Sequence, residues 1–187
     1  MTMTMPRMVT LLTAALIATA GVSAPAQTAF TSPPPVAITS CGQSPDAYTV
    51  SLLSKRAKID HTFDNMLKPA ALTSVKTLVI VMGGSAKGLG EAGIDDKGEL
   101  ARVAQLLTKA KELGVKVLAV HVGGESRRGP LSDKFIDPVV AKADFVLATE
   151  DGNKDGAFTK AAKARNIPLV IVKQVAEVGP ALKAVIK

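Results

Sequence analysis

Four stretches of this chain combine glycine with groups able to hold charge or move a proton. They are Cys41-Gly42-Gln43-Ser44, then Gly83-Gly84-Ser85-Ala86-Lys87-Gly88-Leu89-Gly90, then His121-Val122-Gly123-Gly124-Glu125-Ser126-Arg127-Arg128-Gly129, and finally Glu150-Asp151-Gly152-Asn153-Lys154-Asp155-Gly156. Glycines let backbone amides approach an anion closely, and Lys87 adds a cation beside them. Arg127 and Arg128 offer forked guanidinium contacts suited to a carboxylate or phosphate. The expected ligand-binding set is Gln43, Ser44, Gly83, Gly84, Ser85, Lys87 and Gly88 from the first two stretches. Gly123, Gly124, Glu125, Arg127, Arg128, Asp151, Asn153 and Lys154 complete it from the last two.

Cys41 carries a second expectation. It stands three residues before a helix cap, where amide dipoles favour a thiolate, and His121 is the histidine placed to take its proton. Cys41 and His121 are therefore the expected catalytic pair, against the plainer reading of a small residue packed on a sheet.

Several sharper motifs fail on spacing. Gly88-Leu89-Gly90-Glu91-Ala92-Gly93 has the form of a dinucleotide fingerprint, but it begins five residues past the strand end and His121 stands where the acidic ribose partner belongs. No Walker lysine is present, because Lys87 precedes a glycine and no Ser or Thr follows it. Asp151, Asn153 and Asp155 lack the distant glutamate of a calcium loop, and no Cys, His or carboxylate spacing marks a metal site. The sequence therefore names no cofactor and excludes none.

The elements that must position these groups are legible from periodicity. Val36–Ser40, Thr77–Met82, Val115–Val122, Asp144–Ala148 and Ile167–Val172 are short, β-branched and mostly without polar alternation, as strands covered on both faces are. Lys58–Phe63 is a further, weaker strand at an edge. Between them lie helices. Lys97–Leu113 sets Leu100, Val103, Ala104, Leu107 and Ala110 on one face, with Asp96 and Glu99 spaced as a capping pair and Gly114 as the stop. Ser44-Pro45-Asp46 reads as a helix start leading into Ala47, Val50, Leu53 and Ala57. Leu131–Lys142, Asp155–Arg165 and Val175–Ile186 complete the set, with Pro138 and Pro180 weakening the first and last.

Strictly alternating strand and helix predicts an α/β protein, a three-layer α/β/α sandwich of flavodoxin-like or Rossmann-like type around a mostly parallel sheet of five or six strands. In such a sheet the ligand lies beyond the carboxyl ends of the strands, and each of the four stretches immediately follows a strand. The opposite-end connections, Leu113-Gly114-Val115 and Arg165-Asn166-Ile167-Pro168, are short and plain. That asymmetry separates a site-bearing rim from a structural one. The connection from Gly83 to Asp96 is also longer than most strand-to-helix loops.

Residues 1–26 read as a secretory signal, with Arg7 as the lone charge, an apolar run from Met8 to Ala20 and a small-residue cleavage pattern at Ala24-Pro25-Ala26. The run is too short for a membrane span. Residues 27–35 read as a Pro-rich tether, and residues 36–187 as one α/β domain. A lipobox-like reading of Ile38-Thr39-Ser40-Cys41 is disfavoured by the three prolines and some twenty residues that part Cys41 from the apolar run. Of 187 residues 47% are apolar, which excludes a disordered tail, and a single cysteine excludes a disulfide scaffold. The net charge of +7 falls by one when Arg7 is removed with the signal. Its lysines are scattered and Tyr48 is the sole tyrosine, so nucleic acid is not expected; a small anionic ligand or an anionic envelope surface fits better.

The four stretches, the first extended to Thr39-Ser40-Cys41-Gly42-Gln43-Ser44-Pro45-Asp46-Ala47, together resemble a family of small exported bacterial proteins known as a domain of unknown function. The resemblance runs from Val36 to Lys187 and implies export and a shared site, without assigning an activity. The expectation is a periplasmic or secreted protein, not an integral membrane one, that binds a small anion at the strand-exit rim. Two alternatives use the same cleft: a Cys41-dependent enzyme (transferase, hydrolase or thiol redox protein), and an accessory protein docking an envelope partner through the glycine-rich rim.

Overall fold

Six parallel strands form one sheet in the order β2-β1-β3-β4-β5-β6. A computed structural model describes residues 30–187 together with Met1, so the expected signal segment lies outside the described residues. The strands are β1 (Val36–Cys41), β2 (His61–Phe63), β3 (Thr77–Met82), β4 (Lys116–His121), β5 (Phe145–Thr149) and β6 (Leu169–Val172). Every residue of β1, β3 and β5 is buried, which is why these segments read as continuous apolar runs. The weak segment at 58–63 contributes the short β2, paired in parallel to β1.

Right-handed crossovers sort the helices between the two faces. From β1 the chain steps outward to β2 through α1 (Asp46–Arg56), then returns across β1 to β3 through the 3₁₀ turn Pro69–Ser74 on the other face. All later steps run in that second direction, so α3 (Asp96–Leu113), α4 (Pro130–Val140) and α5 (Ala157–Arg165) join the face of Leu78, Ile80 and Met82. The final α6 (Val178–Val185) packs beside α1 on the face of Val79, Val81 and Leu118. β1 and β3 are adjacent, yet the chain leaves them in opposite directions. Their exits are thus the point where winding reverses and a crevice must open.

Three readings of local structure are corrected. The connection from Gly83 to Asp96 is not an open loop, because it holds a short helix α2 (Ala86–Glu91) capped by Ser85, whose Oγ accepts the Gly88 amide at 3.1 Å. The cap of α3 is Asp95, which accepts from the Gly98 amide at 2.7 Å, so Asp96 and Glu99 are not a capping pair. The tether is not free from Phe30 onward. Phe30 stacks on Phe145, Ser32 bonds Val185 and Lys187 through its backbone, and the Pro35 carbonyl accepts two amides at the start of β3.

Candidate functional site

The four stretches do lie at one rim, but they form two clusters of different character. The first lies at the exits of β1 and β3. Gly42 takes φ +99°, where a side chain is strained, and a Cβ there would run into the Gly83 carbonyl. A Cβ on Gly88 would likewise overlap the Gln43 carbonyl oxygen, so only glycine lets α2 lie against the β1 exit. Beyond the parallel pairing of β1 and β3, Gln43 and Gly84 form one isolated antiparallel bridge.

The glycines here are consumed in building the crevice. The Gly83 amide donates to Cys41 O, the Gly84 amide to Ser132 Oγ, the Ser85 amide to Gly42 O and the Gly88 amide to Ser85 Oγ. The expected cradle of amides from Gly83, Gly84, Ser85 and Gly88 is therefore absent, because each already has a protein acceptor. A cleft of about 780 Å³ remains beside them. Gln43, Ser44, Ser85, Lys87, Gly88 and Arg127 contribute to its walls, together with Tyr48, Asn65 and Met66. Its volume falls within the range of small-molecule sites.

Two groups that sequence reasoning missed organise this cluster. Asp46 lies where three strand exits meet: Ser44 Oγ donates to its Oδ2 at 2.9 Å, and Cβ atoms placed on Gly83 and Gly123 would lie 3.2 and 2.6 Å from that same oxygen. Beneath the crevice, Glu99 and Arg102 form a buried ion pair at 2.8 Å. Glu99 Oε1 accepts from the Gly42 amide, from Gln43 Nε2 and from Arg102 Nη2, while Arg102 also donates to the carbonyls of Ser40 and Leu67. Helical spacing was the available signal. Positions 99 and 102 precede the buried Val103 and Leu106 by four, so two charges sit on the apolar face of α3.

Arg127 is the cation that this cluster leaves available. Its Nε is 3.8 Å from Asp46 Oδ2 and its Nη1 donates to Gly84 O over 3.4 Å, both long, and a third of its side chain is exposed. Lys87 is 86% exposed and 3.7 Å from Glu91 on its own helix.

The second cluster joins the exits of β4 and β5 and is closed by its own charges. Arg128 donates to Asp133, to both carboxylate oxygens of Asp155 and to Gly152 O, and lies over the Phe158 ring. Lys154 bridges Glu125 and Asp151 at 2.7 Å to each, and Asp151 also accepts the Glu125 amide. Those contacts hold the Asp151 carboxyl below the usual range and raise the Lys154 ammonium. Asn153 Oδ1 accepts the Phe158 amide in the first turn of α5, whose N-cap is Gly156. Glu125, Asp151 and Lys154 thus satisfy one another, Arg128 is satisfied by Asp133, Asp155 and Gly152 O, Asn153 is taken up by the start of α5, and Gly123 and Gly124 serve the turn between them.

Cys41 and His121 are not brought together. Cys41 is the last residue of β1, fully buried, with its thiol donating to Phe135 O at 3.3 Å. Burial, reinforced by the nearby Glu99 charge, pushes the thiol far above its ordinary range, the opposite of the expected activation. His121 ends β4, with β3 intervening, so two strand spacings of about 4.8 Å separate the backbones. Both its ring nitrogens face carbonyls, Met82 O at 3.1 Å and Gly124 O at 3.2 Å, and the ring stacks on Phe158. Burial lowers its pKa, with Arg128 contributing and the two carbonyls opposing. The other histidine, His61, bonds Ser51 at 2.8 Å, but Ser51 lies within α1, whose helical amides are already bonded and offer no donors for an oxyanion.

The chain belongs to the family described as Domain of unknown function (DUF6305), which matches residues 33–186. Neither a curated protein nor a solved structure matches it. The matched residues take in both clusters and start where the docked segment enters β1. Among the described residues, no helix is long and apolar enough to cross a membrane, and no group of three His, Cys, Asp or Glu is placed to hold a metal ion.

Proposed function

We propose that this is an exported binding protein that holds a small anionic ligand in the cleft between the β1 and β3 exits. One observation carries the reading: Arg127, alone among the rim arginines, presents a guanidinium without a close acceptor to a cleft of small-molecule size. A ligand carboxylate or phosphate can take both of its forks, with Lys87 adding charge from α2 and the exposed Asn65 offering an orienting side-chain amide. The glycines act through shape rather than as anion donors. Export rests on the apolar run and small-residue pattern of residues 1–26, and cleavage near Ala26 would leave the docked Phe30 in place.

Thermal-shift measurement against inorganic phosphate, sulfate, citrate, acidic amino acids and nucleotides tests the binding half. At least one should raise Tm in the parent protein and lose its effect in Arg127→Gln. A flat response across the panel, or one indifferent to Arg127, contradicts the reading. N-terminal sequencing of protein from the envelope fraction tests the export half, with a start near Gln27 expected.

A further inference from the structure

The opposite end of the molecule carries a second cavity. It lies between α3 and α4, near the amino ends of β4 and β5, with a volume of about 580 Å³. Its floor is apolar: Val103, Leu107, Val115 and Val117 are buried there, and Leu100 and Pro138 are partly so. The gap arises from residue size. Ala104 and Gly114 stand at positions where larger side chains would fill the space between the helices, and Pro138 offers α4 only a flat ring. From Leu100 to Lys111 the groove follows α3 for about 16 Å, at 1.5 Å per residue.

One end of this groove is ringed by Lys111, Lys116 and Lys142. Lys116 lies 3.6 Å from Asp144, whose other carboxylate oxygen accepts the Val117 amide. Lys111 and Lys142 are exposed and have no carboxylate within ion-pair distance among the described residues. The carboxyl ends of α3 and α4 point toward the same rim, each equivalent to about half a negative charge. With Asp144 they leave the three lysines a net positive surplus of about one charge. An elongated apolar trough with cations at one end matches a molecule with an apolar tail and an anionic head.

We propose that the α3/α4 groove binds a single-chain amphiphile with an anionic head, its acyl tail along Val103 and Leu107 and its carboxylate between Lys111 and Lys142. The site is independent of the strand-exit cleft, from which the whole length of the sheet separates it. Each lysine contact is at the surface, so charge selects the head while the trough holds the tail.

The test titrates dodecanoate, below its micelle concentration, into ¹⁵N-labelled full-length protein while amide shifts are followed. Shifts should concentrate on residues 100–117 and 138–144 and spare Ser44 and Gly88. Lys111→Gln with Lys142→Gln should weaken binding about tenfold, from two exposed charge contacts. Ala104→Phe should fill the trough and abolish binding; should it fail to fold, Thr108→Phe, one turn further along the same exposed stripe of α3, fills it instead. Dodecyltrimethylammonium, equal in tail and opposite in charge, should bind at least tenfold more weakly. Shifts scattered over the surface, equal affinity for the cationic amphiphile, or binding unaffected by the lysine substitutions would each overturn the proposal.

Discussion

Arg127 and Arg128 are neighbours in sequence and opposites in circumstance. Arg128 has 16% of its side chain exposed and satisfies its guanidinium on Asp133, Asp155 and Gly152, whereas Arg127 has 33% exposed and meets Asp46 and Gly84 only at long range. The same division separates the two halves of the rim. At β4 and β5, charges close the loops upon one another; at β1 and β3, glycines and a buried ion pair draw two strand exits together and leave a cleft beside them. Charge density alone does not mark a binding site. What marks it is charge left without a good partner next to a space of suitable size.

The comparison can be broken most forcefully from below. Glu99→Ala leaves Arg102 buried without a counter-charge and removes the acceptor of Gly42 and Gln43, so unfolding free energy should fall by about 3–5 kcal/mol in denaturant titration. A loss below about 1 kcal/mol would show that the ion pair does not hold the β1 and β3 exits. Gly88→Ala forces the Gln43 carbonyl or α2 to move, at about 1–3 kcal/mol, and should weaken whatever ligand the cleft holds. The arginines then sharpen the contrast. Arg128→Ala should cost about 1 kcal/mol, kept modest because Asp133 and Asp155 are substantially exposed, while Arg127→Ala should change stability by no more than about 0.5 kcal/mol.

The smallest effects are in pH. His121 is held below its ordinary 6.5 by burial, so as pH falls beneath 6.5 the unfolded chain takes up a proton that the folded chain refuses, and stability declines until the folded pKa is reached. Cys41 works from the other side. Its thiol stays protonated when folded but ionises at about 9.0 when unfolded, so stability declines as pH rises past 9. The same burial predicts that iodoacetamide labels Cys41 only under denaturing conditions. Rapid labelling of folded protein at pH 8 would contradict the placement of the thiol.

Much of the architecture was legible because both faces of the sheet are covered. Continuous apolar runs located β1, β3 and β5 within a residue or two, and alternation with amphipathic helices implied the parallel sheet. The short α2 escaped detection because Gly88 and Gly90 disguise a helical turn as a flexible loop. At the rim, alternation of strand and helix was enough to bring the four stretches to one edge of the sheet, but not to show how their side chains pair there. Gln43, Ser44, Lys87 and Arg127 line the cleft, but nothing local distinguishes Arg127 from Arg128, since the distinction depends on Asp133 and Asp155 from other elements. The amide cradle failed for a related reason: glycines at a close approach between strands look the same in sequence as glycines at a phosphate. Glu99 and Arg102 escape a reading that gives Glu99 to the cap, although their four-residue spacing from Val103 and Leu106 puts both charges on the apolar face of α3.

The division of the rim is tested most directly by mapping an anion onto it. ¹H–¹⁵N spectra recorded through titrations with citrate and inorganic phosphate should show saturable shifts at Ser44, Ser85, Lys87 and Gly88. These should vanish in Arg127→Gln and persist in Arg128→Gln. Shifts centred on Glu125, Asp151 and Lys154, or shifts at the cleft that survive the loss of Arg127, would contradict the assignment of the open half as the binding site.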